Sequence, residues 1–213
     1  MGTEDPRASG AAQVMIRRAT LGLATLGVLG LAACVVPAAR DPVDSFSSVG
    51  NDETVVVGRV EIVPPLRKGE QKIKTLNSGS FENKVFLIAD EQPRAFTKEP
   101  VLSDYRGRIE ATLGENFFVR SKGQPFYILG GMMYLDVGGR EMNQAYFPGG
   151  LRVPVKSGDK AVYVGTIRYH RNEFWEITKV TIVDDYDGAN AEFKKKFGTR
   201  YSLRKAFVTP IKQ

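Results

Sequence analysis

Apolar residues fall into three regimes along this chain. From Ala19 to Val36 they run almost unbroken, interrupted only by small Gly and Thr; from Val35 to Thr54 they thin out among Pro, Ala, Asp, Ser, Gly and Asn; beyond Thr54 they return as short β-branched and aromatic runs. Such runs, separated by turn residues, are the signature of strands. The pattern predicts strands over Val55 to Val63, Lys84 to Asp90, Gly107 to Leu113, Phe117 to Ser121, Phe126 to Leu135, Leu151 to Val155, Ala161 to Arg168 and Phe174 to Val183. Between them lie turn sequences such as Leu113-Gly-Glu-Asn116, Val137-Gly-Gly-Arg140, Pro148-Gly-Gly150 and Lys156-Ser-Gly-Asp159, whose residues favour the φ/ψ values that turns demand.

Strict alternation over Ala161-Val-Tyr-Val-Gly-Thr-Ile-Arg-Tyr169 places Ala161, Tyr163, Gly165, Ile167 and Tyr169 on one side and Val162, Val164, Thr166 and Arg168 on the other. The less regular Phe174 to Val183 leaves room for a bulge. The link His170-Arg-Asn-Glu173 predicts an antiparallel hairpin, with Tyr163 and Tyr169 facing Phe174 and Trp175 across it. Pro154, inside a predicted strand, argues for an edge there. One helix is expected near the end: Ala189, Phe193 and Phe197 recur at four-residue spacing, acids precede them, Lys194, Lys195 and Lys196 close the run, and Gly198 follows. That charge order suits the helix dipole and a glycine stop. The expected fold is a mainly β antiparallel sandwich, or a partly open barrel, with one short C-terminal helix.

The first apolar run is an export signal in its physical make-up. Arg17 and Arg18 supply a basic start, Ala19 to Leu29 an apolar middle, and small Ala32 and Ala33 a cleavage site. Met15 is a candidate start codon, because the preceding residues carry Glu4 and Asp5 and no periodicity. A retained transmembrane helix is the competing reading of the apolar stretch, disfavoured by the small residues at its end and by Pro37. Leu31-Ala32-Ala33-Cys34 resembles the lipobox of bacterial lipoproteins. The resemblance implies cleavage before Cys34 and a diacylglycerol on its thiol. Two or three acyl chains make attachment essentially permanent, because each buried methylene contributes roughly 0.8 kcal/mol. Val35 follows the lipidated position, where Asp would signal inner-membrane retention in enteric bacteria, so the outer membrane, facing the periplasm, is the expected address. The domain boundaries expected on this basis are 1–33 for the signal, 34–54 for the lipidated cysteine and a flexible tether, and 55–213 for one β-rich domain.

With Cys34 consumed, the mature chain has no disulfide to stabilise it; it retains 180 of the 213 residues and carries 27 basic against 22 acidic side chains. A surplus of five positive charges is ordinary for solubility and also compatible with an anionic glycan or lipid nearby, the weak candidates for contact being Lys194, Lys195 and Lys196. The export signal and the lack of a binding motif argue against nucleic acid.

Catalytic chemistry finds little to use. The single histidine, His170, lies at the predicted hairpin tip and reads as a loop residue in solvent; there is no Gly-x-Ser-x-Gly elbow and no phosphate-cradling glycine loop. One histidine cannot build a multi-histidine zinc site. Asp184-Asp-Tyr-Asp-Gly188 departs from the calcium-loop pattern, with Ala189 and Lys196 where ligands belong, and reads instead as a helix start. No metal, no catalytic residue and no cofactor beyond the lipid on Cys34 are expected. Pro125-Phe-Tyr-Ile-Leu-Gly-Gly-Met-Met-Tyr-Leu135 is the most apolar run of the mature chain; it reads as a buried central strand with a glycine break, and alternatively as an adaptable binding surface through its Met pair. Phe147-Pro-Gly-Gly-Leu-Arg-Val-Pro-Val155 followed by Ala161-Val-Tyr-Val-Gly165 faintly resembles uncharacterised lipoproteins with an immunoglobulin-like or transthyretin-like sandwich, which implies a fold and no function. The functional expectation is a lipid-anchored envelope lipoprotein with a non-catalytic binding or structural domain. The alternatives are an accessory subunit of an envelope secretion or transport complex and a carboxylate-dependent cell-wall hydrolase.

Overall fold

The computed structural model describes residues 40–70, 81–94, 107–136 and 142–211. Among them a 3-10 turn at Phe46–Ser48 is followed by ten strands and one α-helix: β1 (Glu53–Val63), β2 (Lys84–Asp90), β3 (Gly107–Thr112), β4 (Asn116–Lys122), β5 (Phe126–Asp136), β6 (Met142–Val153), β7 (Ala161–Arg171), β8 (Ile177–Val183), α1 (Tyr186–Phe197), β9 (Arg204–Lys205) and β10 (Thr209–Pro210). They form two sheets, one ordered β4-β1-β7-β8 with β9 beside β7, the other β10-β6-β5-β2-β3. This is the expected mainly β sandwich with a short C-terminal helix. Two pairs depart from the antiparallel rule: in the centre β1 and β7 run parallel, Val55 opposite Ala161 and Val63 opposite His170, and the short β9 runs parallel to β7, Arg204 opposite Val162. A parallel pair needs a long crossover, and between β1 and β7 the crossover contains β4 and most of the second sheet.

The two sheets share a core in which Val56, Val60, Val162, Val164, Ile167 and Tyr169 of the first meet Leu87, Ile109, Ile128, Met133, Phe147 and Val153 of the second. A smaller core lies on the outer face of the first sheet, where Val55, Val57, Phe118, Ala161 and Tyr163 are covered by Ala189 and Phe193 of α1. The helix thus buries the Ala189/Phe193 stripe expected of it and ends as expected at Gly198, whose φ is 78° and whose N–H donates to the Lys194 carbonyl at 2.8 Å.

The face assignment of β7 needs correction. Val57 pairs with Tyr163 but Arg59 with Thr166, so β7 holds one extra residue at Val164-Gly165. Gly165 takes φ 97° there, and a Cβ on it would come within 2.7 Å of Ile182 Cγ2. The bulge inverts the alternation: Val162 and Val164 point into the main core before it, Ile167 and Tyr169 after it, while Ala161 and Tyr163 face the helix. The cross-strand aromatic pairs expected in the β7–β8 hairpin are replaced by a contact between sheets, Tyr169 lying 4.7 Å from Phe147 between ring centroids.

Three other expectations change. Strand β6 starts at Met142, nine residues before the predicted Leu151, because Met142 to Gly150 has no clean apolar alternation and still pairs with β5. Pro154 falls just beyond the end of β6 at Val153, where the strand's other neighbour, β10, covers only Leu151 and Arg152. The stretch assigned to the tether is folded from Arg40 onward: Pro42 bridges Val119, Val43 is fully buried, and Phe46 stacks on Tyr201 at 4.1 Å and meets Phe197 edge-on at 5.2 Å. Val43, Phe46 and Val49 supply this strap with an apolar face that its polar composition conceals.

A second bulge sits where β5 and β6 cross, between the pairs Ile128–Leu151 and Gly130–Pro148. A Cβ on Gly149 would overlap the backbone of Leu129 and Gly130, whereas one on Gly150, at φ 77°, would meet nothing. Gly149→Ala is therefore expected to abolish stable folding or cost more than about 3 kcal/mol, and Gly150→Ala about 1 kcal/mol through its left-handed backbone alone; urea denaturation of the two variants checks this.

Tyr169 is fully buried, and its hydroxyl has no hydrogen-bond partner among the described residues. A buried unsatisfied hydroxyl costs about 1–3 kcal/mol, so Tyr169→Phe should raise stability by about 1 kcal/mol. Burial also drives this phenol's pKa well above its ordinary value. Unfolding then releases a proton above about pH 10, so the associated stability is fully present below that pH and declines as the pH rises. Denaturation of both proteins between pH 8 and 11 should show a shallower alkaline decline for the Phe variant.

Candidate functional site

The parallel strands give the sandwich two poles, separated by the length of β1. At the first pole, around Glu53, lies a cleft of about 520 Å³ lined by Arg40, Asp41, Glu53, Asp90, Glu91, Arg120 and Lys122 among others. Arg40 spans the cleft: its guanidinium lies 4.1 Å over the Phe126 ring, its Nη1 donates to Ser121 Oγ at 3.4 Å, and its backbone N–H donates to Arg108 O at 2.7 Å. Burial lowers its pKa from the ordinary value, opposed by the charges of Glu91 and Asp90.

Three of the four acids named in the cleft have cationic or backbone partners. Glu53 accepts from Gly50 N–H at 2.7 Å and lies 3.6 Å from Arg120; Glu91 lies 3.8 Å from Lys122; Asp90, nearly fully buried, accepts from Gln92 N–H at 3.0 Å and faces Arg94 at 3.2 Å. Carboxylates held this way serve as charge partners.

The opposite pole is built on Arg171. Its side chain, only 5% exposed, ties the segment after β1 to the β7–β8 hairpin. Nε donates to Pro64 O at 3.0 Å, Nη2 donates to Pro65 O at 3.0 Å and pairs with Glu70 at 3.2 Å, and the guanidinium lies 3.7 Å over the Trp175 ring. The stacked indole takes φ 70° in the turn, a conformation that costs a non-glycine residue about 1 kcal/mol or more. Asn172 fixes the rest, its Oδ1 accepting from the N–H groups of Phe174 and Glu176 at 2.9 and 3.0 Å. Held out on this braced turn is Phe174, 73% exposed, between Glu173 and Glu176.

The expected site residues are distributed as follows. Arg17, Arg18, Leu31, Ala32, Ala33 and Cys34 lie outside the described residues. Lys194 and Lys195 are exposed on α1, and Lys196 donates to Asp44 at 2.9 Å and lies over Phe118, which ties it to the N-terminal strap. His170 belongs to β7 rather than to a loop, with Nε2 3.0 Å from Thr181 Oγ1. Asp185 occupies the helix N-cap position but binds Arg59 at 2.9 Å instead of capping, and Asp184 pairs with Lys205 at 2.6 Å. The acids of that cluster are thus drawn to separate cations, and among the described residues no group of three or more potential ligands is placed to hold a metal. The run Phe126 to Leu135 is the central strand β5, with Met132 and Met133 buried, so it offers no binding surface. No helix among the described residues is long and apolar enough to cross a membrane.

Sequence reasoning gave no site role to Arg171 or the strap, and it placed Phe174 in a strand facing Tyr163 and Tyr169, whereas β8 begins only at Ile177 and Phe174 is exposed in the turn before it. Only the strap left a signal, in the three-residue spacing of Val43, Phe46 and Val49. Fold and surface together define a β sandwich with a charge-balanced cleft at one pole and a braced aromatic tip at the other. Comparison with protein-family models, with curated proteins and with solved structures finds no match to this chain.

Arg171→Ala, which strands Glu70 and two carbonyls, is expected to cost about 2–3 kcal/mol. Phe174→Ala, which removes an exposed ring, should stay within about 0.5 kcal/mol of the parent. Chemical denaturation of the pair measures both, and a large loss from Phe174→Ala would assign that ring to packing.

Proposed function

We propose that the protein is a lipid-anchored lipoprotein of the bacterial cell envelope, cleaved before Cys34 and held in the outer membrane, with a non-catalytic binding domain facing the periplasm. The observation that carries the anchor is the sequence of basic Arg17-Arg18, an apolar middle and Leu31-Ala32-Ala33-Cys34. The binding role is supported by Phe174: an exposed ring on a strained, multiply braced turn has no packing benefit to offset its cost. Glu173 and Glu176 beside it favour an apolar pocket with a basic rim, the chemistry of a protein partner, over anionic glycan or lipid. The same tip fits an accessory subunit of an envelope secretion or transport complex, where a projecting aromatic would seat in a neighbouring subunit. The covalent lipid is the only added group this reading calls for.

Expression of the full chain in a bacterial host beside Cys34→Ala tests the proposal. The parent should be recovered in the membrane fraction as a chain beginning at Cys34 with added acyl mass, and the variant should lack both the acyl mass and the membrane attachment. A parent chain that is unprocessed or unacylated would overturn the reading.

A further inference from the structure

The point at which the fold begins limits how the domain can stand on a membrane. Arg40 is fixed at the cleft pole through its backbone bond to Arg108 O and its stack on Phe126. Behind it the strap is pinned in sequence: Arg120 N–H donates to Asp41 O at 3.0 Å and Val43 N–H donates to Phe118 O at 2.9 Å. Six residue steps separate Cys34 from Arg40. Fully extended they span at most about 21 Å. The ten residue steps of β1 carry the fold from this pole to the Arg171 pole, roughly 33 Å away.

We infer that the pole bearing Arg40, Arg120 and Lys122 faces the lipid head groups of the anchoring bilayer, and that the Phe174 hairpin is held on the far side of the domain. This rests on the lipid anchor proposed above. A body tied at one end by so short a leash cannot turn that end away, because the bilayer excludes the volume it would have to sweep. Attraction is not what orients it. Arg40, Arg120 and Lys122 are matched in the cleft by Asp41, Glu53, Asp90 and Glu91, so the pole carries no net positive field for anionic lipid. The tip also resists lying down on the bilayer, since Glu173 and Glu176 would have to be dehydrated to follow Phe174 into the interface. The leash therefore sets the orientation, and high salt leaves it unchanged.

The test uses the full lipidated chain in vesicles of phosphatidylethanolamine and phosphatidylglycerol. Because acylation consumes Cys34, Lys122→Cys or Glu173→Cys adds the single free thiol for a fluorescent donor. Energy transfer to head-group-labelled acceptor lipids then gives each label's height above the membrane. The expected height is under about 20 Å at position 122 and larger by roughly 30 Å at position 173, unchanged between low and molar salt. Inserting 20 Gly/Ser residues between Ala38 and Ala39 should bring the two heights together. Equal heights, or a greater height at 122, in chains that float with the vesicles and carry acyl mass would overturn the inference and leave the anchor standing. Chains without acyl mass that fail to float would overturn the anchor and the inference with it.

Discussion

The parallel pairing of β1 with β7 is the constraint on which the other elements depend. Strands covered on both faces read as near-continuous apolar runs, and Thr54 to Val57 and Ala161 to Thr166 are buried without a break. Each strand must then satisfy two layers, the second sheet on one side and α1 with the strap on the other. The extra residue at Gly165 makes this possible in β7. It lets Tyr163 face the helix while Ile167 and Tyr169, only a few residues later, fill the space between the sheets. Without the inversion, Ile167 and Tyr169 would fall on the helix side, and the core opposite Phe147 would lose its largest ring.

The same pairing aligns the chain's long connections so that charge gathers at the ends of the strands. At one end Arg40, Arg120 and Lys122 interleave with carboxylates; at the other Arg171 gathers Pro64, Pro65, Glu70 and Trp175 around one guanidinium. Also at the Glu53 end of β1, where Thr54 donates to the Asp159 carbonyl, Asp159 and Arg204 form a bidentate pair that fastens β9 to the loop before β7, and Arg204 holds the Asp159 carboxyl below its usual range. Each of these pairs joins segments distant in sequence. In a chain without a disulfide to close its loops, such planar arginine contacts take over part of that task.

What was legible in the sequence was whatever repeats locally. Lys84 to Asp90 appears with the predicted bounds, and the Ala189/Phe193 stripe and Gly198 stop of α1 are where the four-residue spacing puts them. The failures share a cause: the deciding partner is remote. Nothing near Gly165 announces that Ile182 and Val57 will force an extra residue into β7. The Pro-Gly-Gly run of β6 reads as a turn, although β5 crosses it and needs Gly149 without a side chain. Arg171 looks like one more hairpin charge until Glu70, a hundred residues earlier, is brought beside it. The candidate contact at Phe174 was illegible for the same reason, since its exposure depends on where Trp175 has been drawn.

That displacement of Trp175 sets the two poles apart in kind. An unconstrained hairpin carrying Phe174 and Trp175 would fold both rings onto apolar surface, the outcome the hydrophobic effect favours. Here only Trp175 is retained, packed against the edge of the main core and stacked under Arg171, and it takes a left-handed backbone there. Phe174 is left 73% exposed, while Asn172 holds the turn's backbone through the N–H groups of Phe174 and Glu176. The cleft pole has the opposite character, with Glu53 beside Arg120, Glu91 beside Lys122 and Arg40 stacked on Phe126. The chain thus gathers charges of both signs beside Arg40, where a lipid on Cys34 would tie it, and holds its most exposed large apolar ring, Phe174, at the pole farthest from that tie.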